Sequence, residues 1–298
     1  MRYVFWGVGV FLVMCLAWWC FQTPRHDRQW ADDVARLLRA RVDGPVVKLE
    51  NVRHFEWRSE TDYTAHWETQ QIDLRGLASA DLLLSYWMGP HIAHTLVSFG
   101  FDDGRYLTFS AEIRKEQGEA FSALKGFVRQ YEAVLIAAPE DDLVQVRTSM
   151  RGEDVRLLRL NIPREQLPAL FMAYLKRAGQ IEQTPEFYNT LTSNCTTVVW
   201  DIARTIAPGL PLDWRVLASG HFDAYAFDQG GLTPGFSFEE LRARGRITER
   251  ARAWTAARQA GRVPDLSFSQ AIRIGVPGAD GERSAVLALN GLASPAGR

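Results

Sequence analysis

Nineteen consecutive residues, Tyr3 to Phe21, carry no charged side chain. As a helix rising ~1.5 Å per residue, that run spans roughly 28 Å, about the hydrocarbon thickness of a bilayer. Trp18, Trp19 and Phe21 stand at its end, where an aromatic belt belongs. A cleaved signal peptide calls for small residues before the cut, and Ala17–Thr23 (AWWCFQT) offers a poor site. A lipoprotein calls for a small residue before its cysteine, but Met14 precedes Cys15 and Trp19 precedes Cys20. An uncleaved anchor is the favoured reading. Its orientation is nearly a tie by charge, with Arg2 and the amino terminus on one side and Arg25 and Arg28 on the other. The expected organisation is an anchor over 1–24, a globular domain over 25–265, and a loosely ordered tail over 266–298 whose end is rich in small residues. The expected partner of residues 3–21 is the membrane.

The rest of the chain has the composition of a globular protein. Of 298 residues, 47% are hydrophobic and 23% charged, which argues against disorder and against a polytopic membrane protein. Lys plus Arg number 34 against 35 Asp plus Glu, so there is no global bias toward nucleic acid.

Periodicity sketches the elements. Residues 28–41 read as an amphipathic helix, with Trp30, Val34, Leu37 and Leu38 on one stripe. Residues 46–74 read as β-rich and aromatic, and 76–90 hold a short helix signal. Residues 93–115 read as a hairpin around Asp102-Asp103-Gly104. A helix over 119–130, a buried strand over 131–138, a short helix over 140–150 and a strand over 154–161 follow. Pro163 opens a helix to about Ala178, and a further helix runs from Cys195 to about Ala207, stopped by Pro208-Gly209. A helical stretch covers 237–260.

Beyond the apolar run, Cys195 is the only cysteine, so that part has no intrachain disulfide and no four-cysteine metal site. Ser193 or Asn194 is a good N-cap for the apolar helix that begins at Cys195. A thiol in the first turn meets unpaired N–H groups and a partial positive charge, which favour its thiolate. The same N–H groups, at 195 and at Thr196 beside the Asn194 cap, suit the oxyanion of an acyl intermediate. Nothing in the chain calls for a metal or a cofactor.

A thiol nucleophile needs a base. His26 lies in a polar tether, and His54, His66 and His221 in polar contexts. His91 and His94 enter the hairpin, but residues three apart on a strand face opposite ways, so HIAH is a weak zinc motif. His94 is the best-placed base. A three-residue Asp102-Asp103-Gly104 loop with Gly104 left-handed pairs His94 with Glu112 and Leu96 with Ser110. A two-residue turn pairs His94 with Ile113 and sends Ser110 and Glu112 to the opposite face. The first register gives the base a polar partner and is preferred.

Several stretches resemble the bacterial Lnb N-terminal periplasmic domain family. They are NVRHFEWRS (51–59), AHTLVSFGFDDGRYLTFSAEIRKE (93–116), the 131–151 region, FYNTLTSNCTTVVWDIA (187–203) and DWRVLASGHFDAYAFDQGGL (213–232). The order, histidine before cysteine, is similar to the circularly permuted NlpC-type papain-like enzymes. The resemblance implies an α+β fold, an antiparallel sheet packed on a cysteine-bearing helix, with Cys195 as nucleophile, His94 as base and Glu112 or Ser110 as third polar residue. It also implies a bacterial inner-membrane protein with its globular domain in the periplasm. The name-giving relative is implied to N-acylate lipoproteins with an acyl group taken from a lipid. The expected function is a membrane-anchored cysteine-dependent acyltransferase or hydrolase acting on a lipid-linked or envelope substrate through a thioester. A peptidoglycan amidase or endopeptidase and a non-catalytic envelope binding module are the alternatives. Trp57, Trp67, Tyr86 and Trp87 are candidates for an acyl groove or for the core.

Overall fold

The computed structural model describes residues 6, 14, 21–119, 131–189 and 194–279. The apolar run and the expected helix over 119–130 therefore lie almost wholly outside the described residues. No helix among them is long and apolar enough to cross a membrane.

The architecture is mixed α and β with antiparallel sheets. Its centre is a five-stranded sheet in the order β10-β6-β7-β8-β9, built from β6 (Leu77–Tyr86), β7 (Ala93–Phe101), β8 (Tyr106–Arg114), β9 (Glu132–Ala138) and β10 (Asp154–Arg159), every neighbouring pair antiparallel. A three-stranded sheet joins β1 (Arg39–Asp43), β2 (Val46–Arg53) and β5 (Trp67–Asp73), and a ribbon joins β3 (Glu56–Trp57) to β4 (Tyr63–Thr64). The helices are α1 (Glu140–Gln145), α2 (Leu167–Gln183), α3 (Cys195–Ala203), α4 (Trp214–Leu217), α5 (Phe222–Asp228), α6 (Phe238–Arg244), α7 (Thr248–Gln259) and α8 (Phe268–Arg273). A π-helical turn, Val146–Met150, continues α1.

The central sheet is buried on both faces, and its side chains alternate between two cores. Leu82, Leu84, Val97, Phe99, Phe109 and Leu135 join a core with Phe171 and Tyr174 of α2 and the apolar face of α3. Leu83, Leu96, Val134 and Ile136 face the other way, against Leu143 and Val144 of α1, Ala251 of α7, and Phe268 and Ile272 of α8.

Five expectations need correction. Residues 28–41 are not a helix. Only Asp32–Val34 form a 3₁₀ turn, and Arg39–Asp43 pair with β2 through a Gly44-Pro45 turn. The carbonyls of Val34 and Ala35 accept from the Arg114 guanidinium instead of from a following turn. The helix signal in 76–90 gives way to β6, a strand paired on both edges whose apolar run is buried on both sides. The stretch 266–279, grouped with the tail, carries α8 and lies in the core. The helix from Cys195 ends at Ala203, and the 237–260 stretch is two helices, α6 and α7.

Buried charge ties this last helix to the sheet. Arg273 donates to Asp81 at 2.6 Å and to Glu140 at 2.6 and 2.7 Å, and Arg159 also pairs with Asp81. Burial by itself would raise the Asp81 carboxyl, and the two guanidinium groups hold it below its usual range. Arg273→Ala leaves two carboxylates short of a counter-charge inside the fold. It should destabilise by about 3–5 kcal/mol in urea melts. Arg246→Ala, which breaks an exposed pair with Asp154, should cost under about 1 kcal/mol. Equal effects would remove α8 from the cooperative core.

Candidate active site

The three-residue loop sets the site. Gly104 takes φ +82° and its N–H bonds Phe101 O at 2.9 Å, while Phe101 N–H bonds Arg105 O at 3.0 Å. Leu96 then pairs with Ser110, which is the preferred register, and continuing it sets His94 opposite Glu112. His94, Ser110 and Glu112 share one face. His94 Nε2 lies 2.6 Å from Ser110 Oγ and 3.3 Å from Glu112 Oε1, and Ser110 Oγ donates to Glu112 Oε1 at 2.7 Å.

Glu112 is held in turn by Arg147, whose Nη2 donates to it at 2.5 Å. Arg147 stands on the π-helical turn after α1 and also pairs with Glu153 at 3.4 Å. Sequence reading missed it, because no local pattern joins residue 147 to residue 112. The motif NVRHFEWRS serves this positioning. Arg53 grips Asp142 of α1 with Nε and Nη2 at 2.9 and 2.7 Å, and the Phe55 N–H and Trp57 indole donate to the same carboxylate at 2.9 and 2.8 Å. Trp57 and Trp67 pack around Phe55 and Tyr63, so they are core and not groove.

The thiol arrives on α3. Asn194 is its N-cap, accepting from the N–H groups of Thr196 and Thr197, each at 2.9 Å, and the Thr197 hydroxyl closes a capping box. Such a cap contributes about 1 kcal/mol to helix stability. The cap takes up the Thr196 N–H, so that group is not the free oxyanion donor expected of it. Cys195 N–H instead donates to Tyr188 Oη at 3.3 Å. Thr196 meets Thr95 hydroxyl to hydroxyl at 2.8 Å, and Cys195 Sγ lies 4.0 Å from Ala93 O. The start of α3 is thereby pinned to the start of β7, which brings the thiol under the charge of His94. With Nε2 turned to Ser110 and Glu112, Nδ1 is the ring nitrogen left for sulfur.

Electrostatics overcome burial here. Burial pushes the Cys195 thiol up, but the charge and hydrogen bond of His94, with help from Thr95 N–H and the Thr196 hydroxyl, bring it down to about 7. Burial and the Arg147 charge lower His94, yet Glu112 and Cys195 raise it to about 9. Burial raises the Glu112 carboxyl, and His94 and Arg147 hold it well below its ordinary value. Burial and the facing thiolate push the Tyr188 phenol well above its usual value.

His91 and His94 diverge as the strand geometry requires. His91 Nδ1 sits 2.8 Å from His221 Nε2. Among the described residues no three His, Cys, Asp or Glu side chains converge as a metal site.

The family model of the Lnb N-terminal periplasmic domain matches residues 63–220. That interval covers more than half of the chain. It contains His94, Ser110, Glu112, Arg147 and Cys195. The chain belongs to the Lnb N-terminal periplasmic domain family. No curated protein and no solved structure matches it. Membership in this Lnb_N family points to a periplasmic, membrane-associated envelope protein.

The paired shifts fix a pH profile. Cys195 is thiolate above about 7 and His94 stays protonated up to about 9, so the ion pair fills the interval between. Alkylation of Cys195 by iodoacetamide should therefore rise through about pH 7. His94→Ala should move that midpoint up toward the ordinary thiol range near ~8.5 or beyond. Glu112→Gln, which removes the charge that keeps His94 protonated, should move it the same way by less. A midpoint indifferent to His94→Ala would leave the helix N-terminus as the sole cause.

Proposed function

We propose that this Lnb_N protein is a membrane-anchored thiol acyltransferase or hydrolase acting on a lipid-linked or cell-envelope substrate. One observation carries the reading. The only cysteine among the described residues, at a capped helix start, is brought down to about 7 by the His94 imidazolium, which is itself held by Ser110 and Glu112. A structural thiol buried among apolar groups moves the other way. The chain order, a histidine strand before a cysteine helix whose first turn meets that strand, supports a permuted papain-like core.

The chemistry follows from the charges. The Cys195 thiolate attacks an ester or amide carbonyl carbon, and the carbonyl electrons move onto oxygen. The leaving group departs with the proton of the His94 imidazolium, giving a thioester. An amine or water then attacks the thioester carbon and gives its proton to His94 as the thiolate leaves. An amine gives transfer and water gives hydrolysis. Ser110 and Glu112 keep Nε2 turned away so that Nδ1 faces sulfur. Tyr188, protonated throughout the working range, accepts from the Cys195 N–H and has its own O–H to give to the oxyanion.

Cys195 is 5% exposed. This favours one second reading, a binding module that keeps the same shell with an inert thiol. Incubation with short-chain thioesters and with diacyl phospholipids separates the two. Mass spectrometry should find one acyl adduct on Cys195, absent in Cys195→Ser and released by hydroxylamine. No adduct, together with slow alkylation in the folded protein, would favour the binding module. Tyr188→Phe should lower turnover by ~10²-fold, the usual weight of one oxyanion donor, and should lower it by more than it changes the alkylation rate. Peptide turnover without lipid turnover would move the substrate to peptidoglycan.

A further inference from the structure

Large exposed apolar side chains are concentrated in one place. Beyond residue 21, eight are exposed among the described residues, and six of them fall in two short segments: Trp87, Met88 and Ile92 between β6 and β7, and Leu212, Trp214 and Leu217 at and before α4. Leu212 and Trp214 are 63% and 60% exposed. A cluster of this kind on a soluble surface marks an interaction site.

The two segments form one surface. Gly220 N–H bonds His91 O at 3.0 Å, and Ser219 Oγ accepts from Ala93 N–H at 3.0 Å. A Cβ on Gly220 would meet Pro90 O at 2.4 Å, so the backbones touch where only glycine fits. His91 and His221 are joined ring to ring, and Trp214 packs on His221 with centroids 5.0 Å apart. This surface adjoins the thiol, since the Ala93 carbonyl faces Cys195 Sγ.

The same end of the sheet receives the chain from its apolar run. Arg25 N–H donates to Glu132 Oε1 at 3.1 Å, and His26 faces Arg114 at 3.2 Å. Glu132 begins β9, Arg114 ends β8, Ala93 begins β7 and Tyr86 ends β6. Adjacent strands lie ~4.8 Å apart, so the entry of the chain and the apolar surface are within roughly 15 Å across the sheet. The four steps from Phe21 to Arg25 span at most roughly 14 Å. An apolar run that crosses a bilayer and stops at Phe21 holds this end of the sheet at the interface.

We propose that these six side chains form a bilayer-docking collar that seats the mouth of the Cys195 site on the lipid surface. The orientation rests on residues 3–21 being the anchor; the collar itself does not. Trp, Met, Ile and Leu around a histidine pair suit the headgroup boundary, where an apolar body is buried and a polar tip stays wet.

The test places the full chain in nanodiscs of phosphatidylethanolamine and phosphatidylglycerol, with plain or dibrominated acyl chains. Trp214 emission is read as the difference between the wild type and Trp214→Phe. Brominated chains should quench it by about twofold or more, as expected for a ring buried ~5–10 Å into the boundary. The Leu212→Ser/Leu217→Ser variant should lose that quenching and keep the wild-type rate of Cys195 alkylation in solution. Equal Trp214 emission in both lipids from a chain that has inserted overturns the collar and leaves the anchor standing. If the chain does not insert, the anchor fails, and the same difference measured on added brominated vesicles decides the collar alone: quenching supports it and none overturns it. Shielding of Trp214 that follows protein concentration and not lipid assigns the face to a second copy and overturns the bilayer reading.

Discussion

A single buried carboxylate underlies the site. Asp142, with no exposed side-chain surface, accepts from the Arg53 guanidinium twice, from the Trp57 indole and from the Phe55 N–H. A carboxylate taken out of water is costly unless its lone pairs are filled. Four donors fill them, and every donor comes from the β2–β3 segment. The small sheet is thereby fixed to α1, and α1 continues into the turn that carries Arg147. Arg147 fixes Glu112, Glu112 and Ser110 orient His94, and His94 sets the charge of Cys195.

That sequence of contacts alternates in sign: Arg147 positive, Glu112 negative, His94 positive, Cys195 negative. Burial alone favours the neutral form of each. Each opposite neighbour reverses the penalty, so the four charges stand or fall together. The wide gap between a thiol at about 7 and an imidazole at about 9 is the product of this alternation, and not of the helix terminus alone.

How much of this was legible along the chain depends on the range of the interactions. The hairpin was, because its loop chemistry is local: Gly104 supplies the positive φ, and the three-residue loop sends Ser110 and Glu112 to the face of His94. The cap at Asn194 was, because side chain and helix N-terminus are neighbours in sequence. The 28–41 and 76–90 segments were misread, because strand pairing, and for 28–41 the Arg114 guanidinium, overrode a local helical period. Arg147, Tyr188 and the Asp142 cluster lie in stretches that carry the family resemblance, but their roles were not legible, because each acts on a residue that only the fold brings near.

The sequence by itself determined an uncharged run long enough to span a bilayer, a lone cysteine at a capped helix start, and a histidine strand with its polar partners in register. These follow from composition, capping and turn geometry, all of which act over a few residues. Tertiary structure decided what those parts do together. It joined residues 53 and 142, 112 and 147, and 91 and 221, and it turned the thiol, the apolar collar and the entry of the chain to one end of one sheet. The physical reason is that burying charge demands partners, and the partners lie tens of residues away or more.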